Sequence, residues 1–111
     1  MSVHCVGSVE AIPLGQGRRF VLEGEAVAVF RTRDGALFAT QAACPHRQGP
    51  LADGIVGGGR VFCPLHAYDF DLATGASRSG TCDNLRTHPV TVDEGGAVWV
   101  DVEAARGIEA A

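Results

Sequence analysis

Lysine is absent from this sequence: all nine basic residues are Arg, spread from Arg18 to Arg106 with only Arg18 and Arg19 adjacent. Against thirteen acidic residues they leave a net charge of -4. Nothing resembles the clustered positive charge that releases counterions from nucleic acid or from an anionic membrane, so neither is expected as a partner. The acidic surface serves solubility, with steering toward a basic partner as a second use. Long hydrophobic runs are missing as well. No segment approaches the roughly 18 apolar residues of a membrane span, and the N-terminal stretch from Met1 to Glu10 has no basic patch followed by an apolar run. These absences predict a cytoplasmic, unanchored protein. A helical period is hard to find anywhere, and no internal repeat or low-complexity tract occurs. Cysteine is limited to four residues, read in a reducing compartment as metal ligands or buried thiols and not as a disulfide framework.

What is present describes one folded domain. With 111 residues, 46% of them hydrophobic and 20% charged, the chain can bury a modest core, and its composition is that of a compact globular protein. Fifteen Gly and five Pro punctuate short segments rich in Val and Phe, which predicts an all-β fold. Candidate strands are Val3–Val6, Arg18–Leu22, Ala26–Arg31, Leu37–Thr40, Arg60–Phe62, Asp69–Leu72, Thr87–Val92 and Ala97–Val102. Arg33-Asp34-Gly35 and Asp93 to Gly96 are hairpin signals, because Gly takes positive φ without a Cβ clash. The spacing is that of an antiparallel sandwich or barrel. In Val98-Trp99-Val100-Asp101-Val102 the alternation puts the three Val on the core side. Ser8–Pro13 is read as a single helical turn capped by Ser8. The domain is expected over residues 1–103, with a frayed tail over 104–111.

Two short motifs carry the chemistry: Cys44-Pro45-His46 and, after sixteen intervening residues, Cys63-Pro64-Leu65-His66. Each follows a predicted strand, at the tip of a β-segment, where rigid scaffolds present functional loops. Thiolate favours zinc or iron-sulfur chemistry and imidazole suits either, so ligand type leaves both open. Spacing separates them. Structural zinc sites usually pair like residues, whereas here each loop offers one Cys and one His. Side by side, such loops bind two irons unequally, two Cys on one and two His on the other. A zinc site of the same four residues is the competing reading, and visible absorption with a paramagnetic signal on reduction distinguishes them.

These motifs resemble the Rieske-type 2Fe-2S ferredoxin family, and the resemblance runs from about Val3 to Val102. It implies a Rieske-like antiparallel β-sandwich with a cluster-binding subdomain at about 42–78. It also implies one 2Fe-2S cluster bound by Cys44, His46, Cys63 and His66. Cys44-Pro-His-Arg-Gln-Gly-Pro-Leu-Ala-Asp-Gly-Ile-Val56, Asp71-Leu-Ala-Thr-Gly75 and Arg86-Thr-His-Pro-Val90 most resemble the small subunit of NADH-dependent assimilatory nitrite reductase. Ferredoxin components of aromatic-ring dioxygenases share the metal motifs and usually differ in the first loop. Respiratory Rieske proteins brace the cluster with an extra Cys in each loop. The matching positions here are Gly49 and Leu65, and Tyr68 and Phe70 stand where those proteins place hydroxyls. Fewer hydrogen bonds to the cluster predict a potential near the lower end of the Rieske range of about -150 to +300 mV.

The remaining residues are given lesser roles. Cys5 and Cys82 are expected as buried thiols, Cys82 in a third loop near the cluster by resemblance. His4 and His88 are expected to be solvent-facing or hydrogen-bonded, and too few for a second metal centre. Leu51 is expected to shield the cluster, and Gly57-Gly58-Gly59 is read as a hairpin turn and not a phosphate cradle. No substrate-turnover site is therefore expected on this chain. Its function is expected to be electron transfer in nitrate assimilation, with a large flavin- and sirohaem-containing nitrite reductase subunit as partner. The alternatives are a free ferredoxin between a flavin reductase and a ring-hydroxylating oxygenase, and a structural subunit whose cluster is not redox-active.

Overall fold

The structure, a computed structural model, describes residues 3–45, 49–64, 68–78 and 83–102. Among them are ten strands: β1 (Val3–Ser8), β2 (Gln16–Leu22), β3 (Glu25–Arg31), β4 (Leu37–Gln41), β5 (Ile55–Gly57), β6 (Arg60–Phe62), β7 (Asp69–Asp71), β8 (Thr87–His88), β9 (Val90–Val92) and β10 (Ala97–Asp101). Two single 3₁₀ turns occur at Val9–Ala11 and Leu51–Asp53. The strands form three antiparallel sheets in the orders β1-β10-β9, β2-β3-β4-β8 and β5-β6-β7. The all-β expectation holds, and the tail proposed for residues 104–111 lies outside the described residues.

Turn chemistry explains the hairpins. Leu22 pairs with Glu25 across Glu23 and Gly24, both at positive φ (54° and 79°). Gly57 pairs with Arg60 across Gly58 and Gly59, also both positive. Two residues of this hand match the right-handed twist of antiparallel strands. Ser8 caps the first 3₁₀ turn by accepting from the Glu10 amide at 3.1 Å. At the β9–β10 turn the Asp93 carboxylate accepts from the Trp99 indole N–H at 3.0 Å, which holds the carboxyl below its ordinary value.

Two elements differ from the sequence reading. β5 was not expected, because its three residues lie between turn signals and offer too short a pattern. The expected strand Thr87–Val92 is split at Pro89, which has no N–H to give to a ladder. Before Pro89 the chain pairs with β4, and after it with β10, so this residue is where the backbone changes sheet.

Central β3 partitions the interior. Val27, Ala28, Val29 and Phe30 are all fully buried, as expected for a strand covered on both faces. Ala28 and Phe30 point into one apolar core, and Val29 into a second with Ile12, Ala39, Val98 and Val100. Burying Phe30 stabilises the fold by about 1.5–3 kcal/mol relative to exposure. Val98 and Val100 face the core as the alternation requires, and Val102 packs against it.

Two side chains need correcting. Cys5 is exposed, not buried, because on β1 the odd positions Val3, Cys5 and Gly7 face outward while Val6 packs on the second core. His88 is not solvent-facing. Opposite Ala39 it is only 4% exposed, and neither ring nitrogen makes a well-formed hydrogen bond. Burial pushes its pKa down. His4 does hydrogen-bond, to the Glu23 carboxylate at 2.7 Å.

Candidate metal centre

The two cysteines of the motifs sit at matching places on two hairpin tips. At the first tip Ala43 bridges to Pro50, and inside that bridge the Cys44 amide donates to the Gly49 carbonyl at 2.8 Å. At the second, Phe62 of β6 pairs with Asp69 of β7, and the Cys63 amide donates to the Tyr68 carbonyl at 2.7 Å. In both cases the paired residues are seven apart in sequence, and the cysteine N–H reaches the carbonyl five residues on. Gly49 and Tyr68 thus act here through their carbonyl groups, a role sequence alone did not reveal.

Both cysteines are buried, Cys44 at 0% and Cys63 at 2% exposure, in the core that also holds Phe30, Leu51, Phe70, Leu72 and Leu85. Leu51 is fully buried there, held by its amide's hydrogen bond to the Ala42 carbonyl at 3.0 Å. Leu72 and Leu85 arrive through a glycine. The Asp71 carboxylate accepts from the Ala73 and Thr74 amides, and Gly75, at φ 80°, lets the chain pass against Leu85. A Cβ on Gly75 would lie 2.2 Å from the Leu85 carbonyl oxygen, and the Leu85 amide donates to the Gly75 carbonyl at 2.7 Å. Only glycine fits this approach.

Polar groups stand around the tips. Arg60 pairs with Asp69 at 2.9 Å, and its guanidinium lies 5.5 Å from the Phe62 ring centroid. Arg86 pairs with Glu25 at 3.1 Å. Both pairs are partly solvated, so each contributes little to stability. Behind the first tip the Gln41 carboxamide donates to the Ala43 carbonyl and accepts from the Arg86 amide, each at 2.8 Å.

His46 and His66, with Arg47, Leu65 and Cys82, lie outside the described residues. Among the described residues no three His, Cys, Asp or Glu side chains converge on a metal position. The donor set is chemically suited to an iron-sulfur group: two soft sulfur donors at equivalent hairpin positions, in an apolar shell that excludes water. Buried thiols alone would suit zinc equally.

Comparison with known proteins separates the two. Residues 2–89 match the family model described as the Rieske [2Fe-2S] domain. The ferredoxin component of a naphthalene 1,2-dioxygenase system from Pseudomonas aeruginosa is 34% identical over 82% of this chain and 86% of its own length. Among solved structures, a candidate NADH-dependent nitrite reductase small subunit from Mycobacterium tuberculosis superposes with a TM-score of 0.82 at 26% identity. That match covers 88% of this chain and 92% of the other. The ferredoxin of carbazole 1,9a-dioxygenase from Nocardioides aromaticivorans IC177 gives 0.81 at 28% identity, covering 90% and 97%. Also, among the described residues no helix is long and apolar enough to cross a membrane. The chain belongs to the Rieske [2Fe-2S] domain family, with a Rieske-type 2Fe-2S cluster as its cofactor and electron transfer as its function.

Proposed function

We propose that Cys44 and Cys63 hold one iron of the cluster and His46 and His66 the other, and that the chain serves as the small subunit of an assimilatory NADH-dependent nitrite reductase in the cytoplasm. The observation that carries the ligand assignment is the shared closure of the two tips, in which each Cys amide is tied to the carbonyl five residues on. The histidines are assigned by their spacing from those cysteines.

When bound, such a cluster takes up and releases one electron. The residues of this chain determine whether that exchange is controlled. Two thiolates offset a core of charge about +2, so an added electron meets a nearly neutral site and not one of about -2, as with four thiolates. Leu51, Phe70, Leu72 and Leu85 keep water from the sulfur side. The fixed tips hold the sulfur atoms in place whichever redox state is present, which lowers the reorganisation that electron transfer requires.

Support for the nitrite reductase reading comes from the first-loop residues 44–56 and from the superposition on the Mycobacterium tuberculosis chain. The naphthalene dioxygenase ferredoxin supports a second reading, a diffusing carrier to a ring-hydroxylating oxygenase. The two differ in how they bind. A permanent subunit buries a large apolar interface, whereas a shuttle keeps a small, wet one so that release is fast. Native purification through size-exclusion chromatography is the test. Co-elution with a large flavoprotein supports the subunit, and elution at the mass of the lone chain overturns it in favour of the carrier.

A further inference from the structure

We infer that Gln41 is a positioning residue for the cluster, acting through the peptide that leads into Cys44; this rests on the ligand assignment proposed above. That peptide is gripped at both ends. Its carbonyl, on Ala43, accepts from the Gln41 side-chain amide at 2.8 Å, and its N–H, on Cys44, donates to the Gly49 carbonyl at 2.8 Å. A peptide plane held by one hydrogen bond can rock about it. Held by two on opposite edges, it cannot turn without breaking one, and the Cα of Cys44 is fixed with it.

The other end of the same carboxamide is also engaged. Its oxygen accepts from the Arg86 amide at 2.8 Å, while the Gln41 backbone N–H donates to the Arg86 carbonyl at 3.1 Å. Gln41 therefore clamps residue 86 twice and the first tip once. Arg86 follows Leu85, whose side chain is in the core with Cys44 and Cys63. The clamp thus joins the tip that bears one sulfur to the segment that closes the apolar shell. No charged or shorter side chain does the same. Asn does not span the distance, and Glu presents an oxygen to the Ala43 carbonyl where a donor is needed.

This arrangement acts on the cluster in two ways. Holding Cys44 preserves the shell against water, and so the lifetime of the cluster. It also fixes the carbonyl and amide dipoles beside a ligand, which tunes the potential as groups around the ligands of a metal site do.

Gln41→Glu keeps the acceptor for the Arg86 amide and removes the donor to Ala43, and Gln41→Leu removes both. Val98→Ala, in the second core, is the control for simple destabilisation. Each is purified with its cluster, and three quantities are read: thermal midpoint, rate of bleaching in excess chelator, and midpoint potential with the paramagnetic spectrum of the reduced form. Both Gln41 variants are expected to bleach about tenfold faster than Val98→Ala at matched thermal stability. Their potential and spectrum are expected to move while those of Val98→Ala do not. Bleaching that follows thermal stability alone in all three, with potential and spectrum as in the unmodified protein, overturns the positioning role. Failure of the unmodified protein to hold iron and sulfide overturns the ligand assignment instead, so the two failures are distinguishable.

Discussion

The two apolar cores of this protein are built by different rules. The core around Val98 and Val100 is a product of strand alternation: Val29, Ala39, Val98 and Val100 are inward positions of β3, β4 and β10, with Ile12 added from a turn. The cysteine-bearing core takes Ala28 and Phe30 from the same β3 and Val56, Val61 and Phe70 from β5, β6 and β7, but Leu51, Leu72, Leu85 and both cysteines come from turns and tips. Each of those five has its amide committed to a backbone carbonyl, of Ala42, Gly59, Gly75, Gly49 and Tyr68 respectively. A core made from strands needs only a period of two, whereas one drawn half from loops also needs each turn to be right. The second kind gains most from a bound group that ties its parts together, because metal binding to a site absent from the unfolded chain adds to folding free energy.

The sharpest way to break that comparison is to remove a ligand from one core only. Cys44→Ala is expected to reduce iron and acid-labile sulfide per chain from near two to background and to abolish visible absorption. Hydrogen exchange should then accelerate across β5, β6 and β7 and remain slow across β9 and β10. A coloured Cys44→Ala protein would remove Cys44 from the ligand set. If colour and exchange protection are lost but a partner complex retains its activity once assembled, the cluster is structural and not redox-active.

Next in size are substitutions that empty each core in turn. Phe30→Ala is expected to cost about 3–5 kcal/mol, the usual range for a buried Phe, since its ring is fully buried in the core that holds both cysteines. The ring also packs against the backbone at Gly17, where an added Cβ would lie 2.6 Å from it. Val100→Ala is expected to cost about 1–3 kcal/mol. Denaturant midpoints give these energies, but iron content sharpens the contrast. Phe30→Ala should lose iron under chelator well before it unfolds, and Val100→Ala should hold it up to the unfolding transition.

The same division explains what could be read from sequence. β2, β3, β4 and β10 were legible because alternation and turn residues agree, and the inward Val of β10 followed from period two alone. The two Cys-x-His-type motifs were legible because their residue types have few other uses at that spacing. Residues that act through the backbone, or on a partner distant in sequence, were not. Gly49 and Tyr68 act through carbonyl oxygens that every residue carries, and Gln41 acts across 45 positions of sequence on the Arg86 amide. The break at Pro89 was available from its missing N–H but was overridden by the β-branched residues around it. Cys5 and His88 depart from what their residue types alone suggest, because in a short strand the position relative to the pleat decides inside or outside.

His88 offers a smaller effect, at the seam where β8 gives way to β9. Burial lowers its pKa first of all; Arg86 nearby acts in the same direction, while Glu25 and Asp101 oppose. The unfolded chain has the ordinary His value of about 6.5, so as pH falls it takes up this proton before the folded chain does. His88 thus contributes stability that is complete above about pH 6.5 and is lost as pH falls through its lowered folded value. Urea midpoints measured from pH 8 to pH 5.5 should decline less steeply in His88→Gln than in the unmodified protein. Parallel curves would mean that the imidazole is solvated in solution.

The smallest expected effect lies at the turn between β2 and β3. Glu23 is the one non-glycine among the described residues with positive φ, at 54°, and its carboxylate meets His4 at 2.7 Å on a half-exposed surface. Glu23→Asn exchanges one effect for another. The contact with His4, worth roughly 0–1 kcal/mol where solvent screens it, is lost. An Asn-Gly pair, however, takes the left-handed conformation more readily than Glu-Gly. The net change should be within about 1 kcal/mol, too small to assign by itself. Introduced into His4→Ala, where the contact is already gone, the same substitution should only stabilise. The difference between the two backgrounds is then the energy of the His4–Glu23 contact. If Glu23→Asn destabilises in both, the turn holds Glu23 by something other than its partner, and the left-handed backbone there is not a strain that Asn relieves.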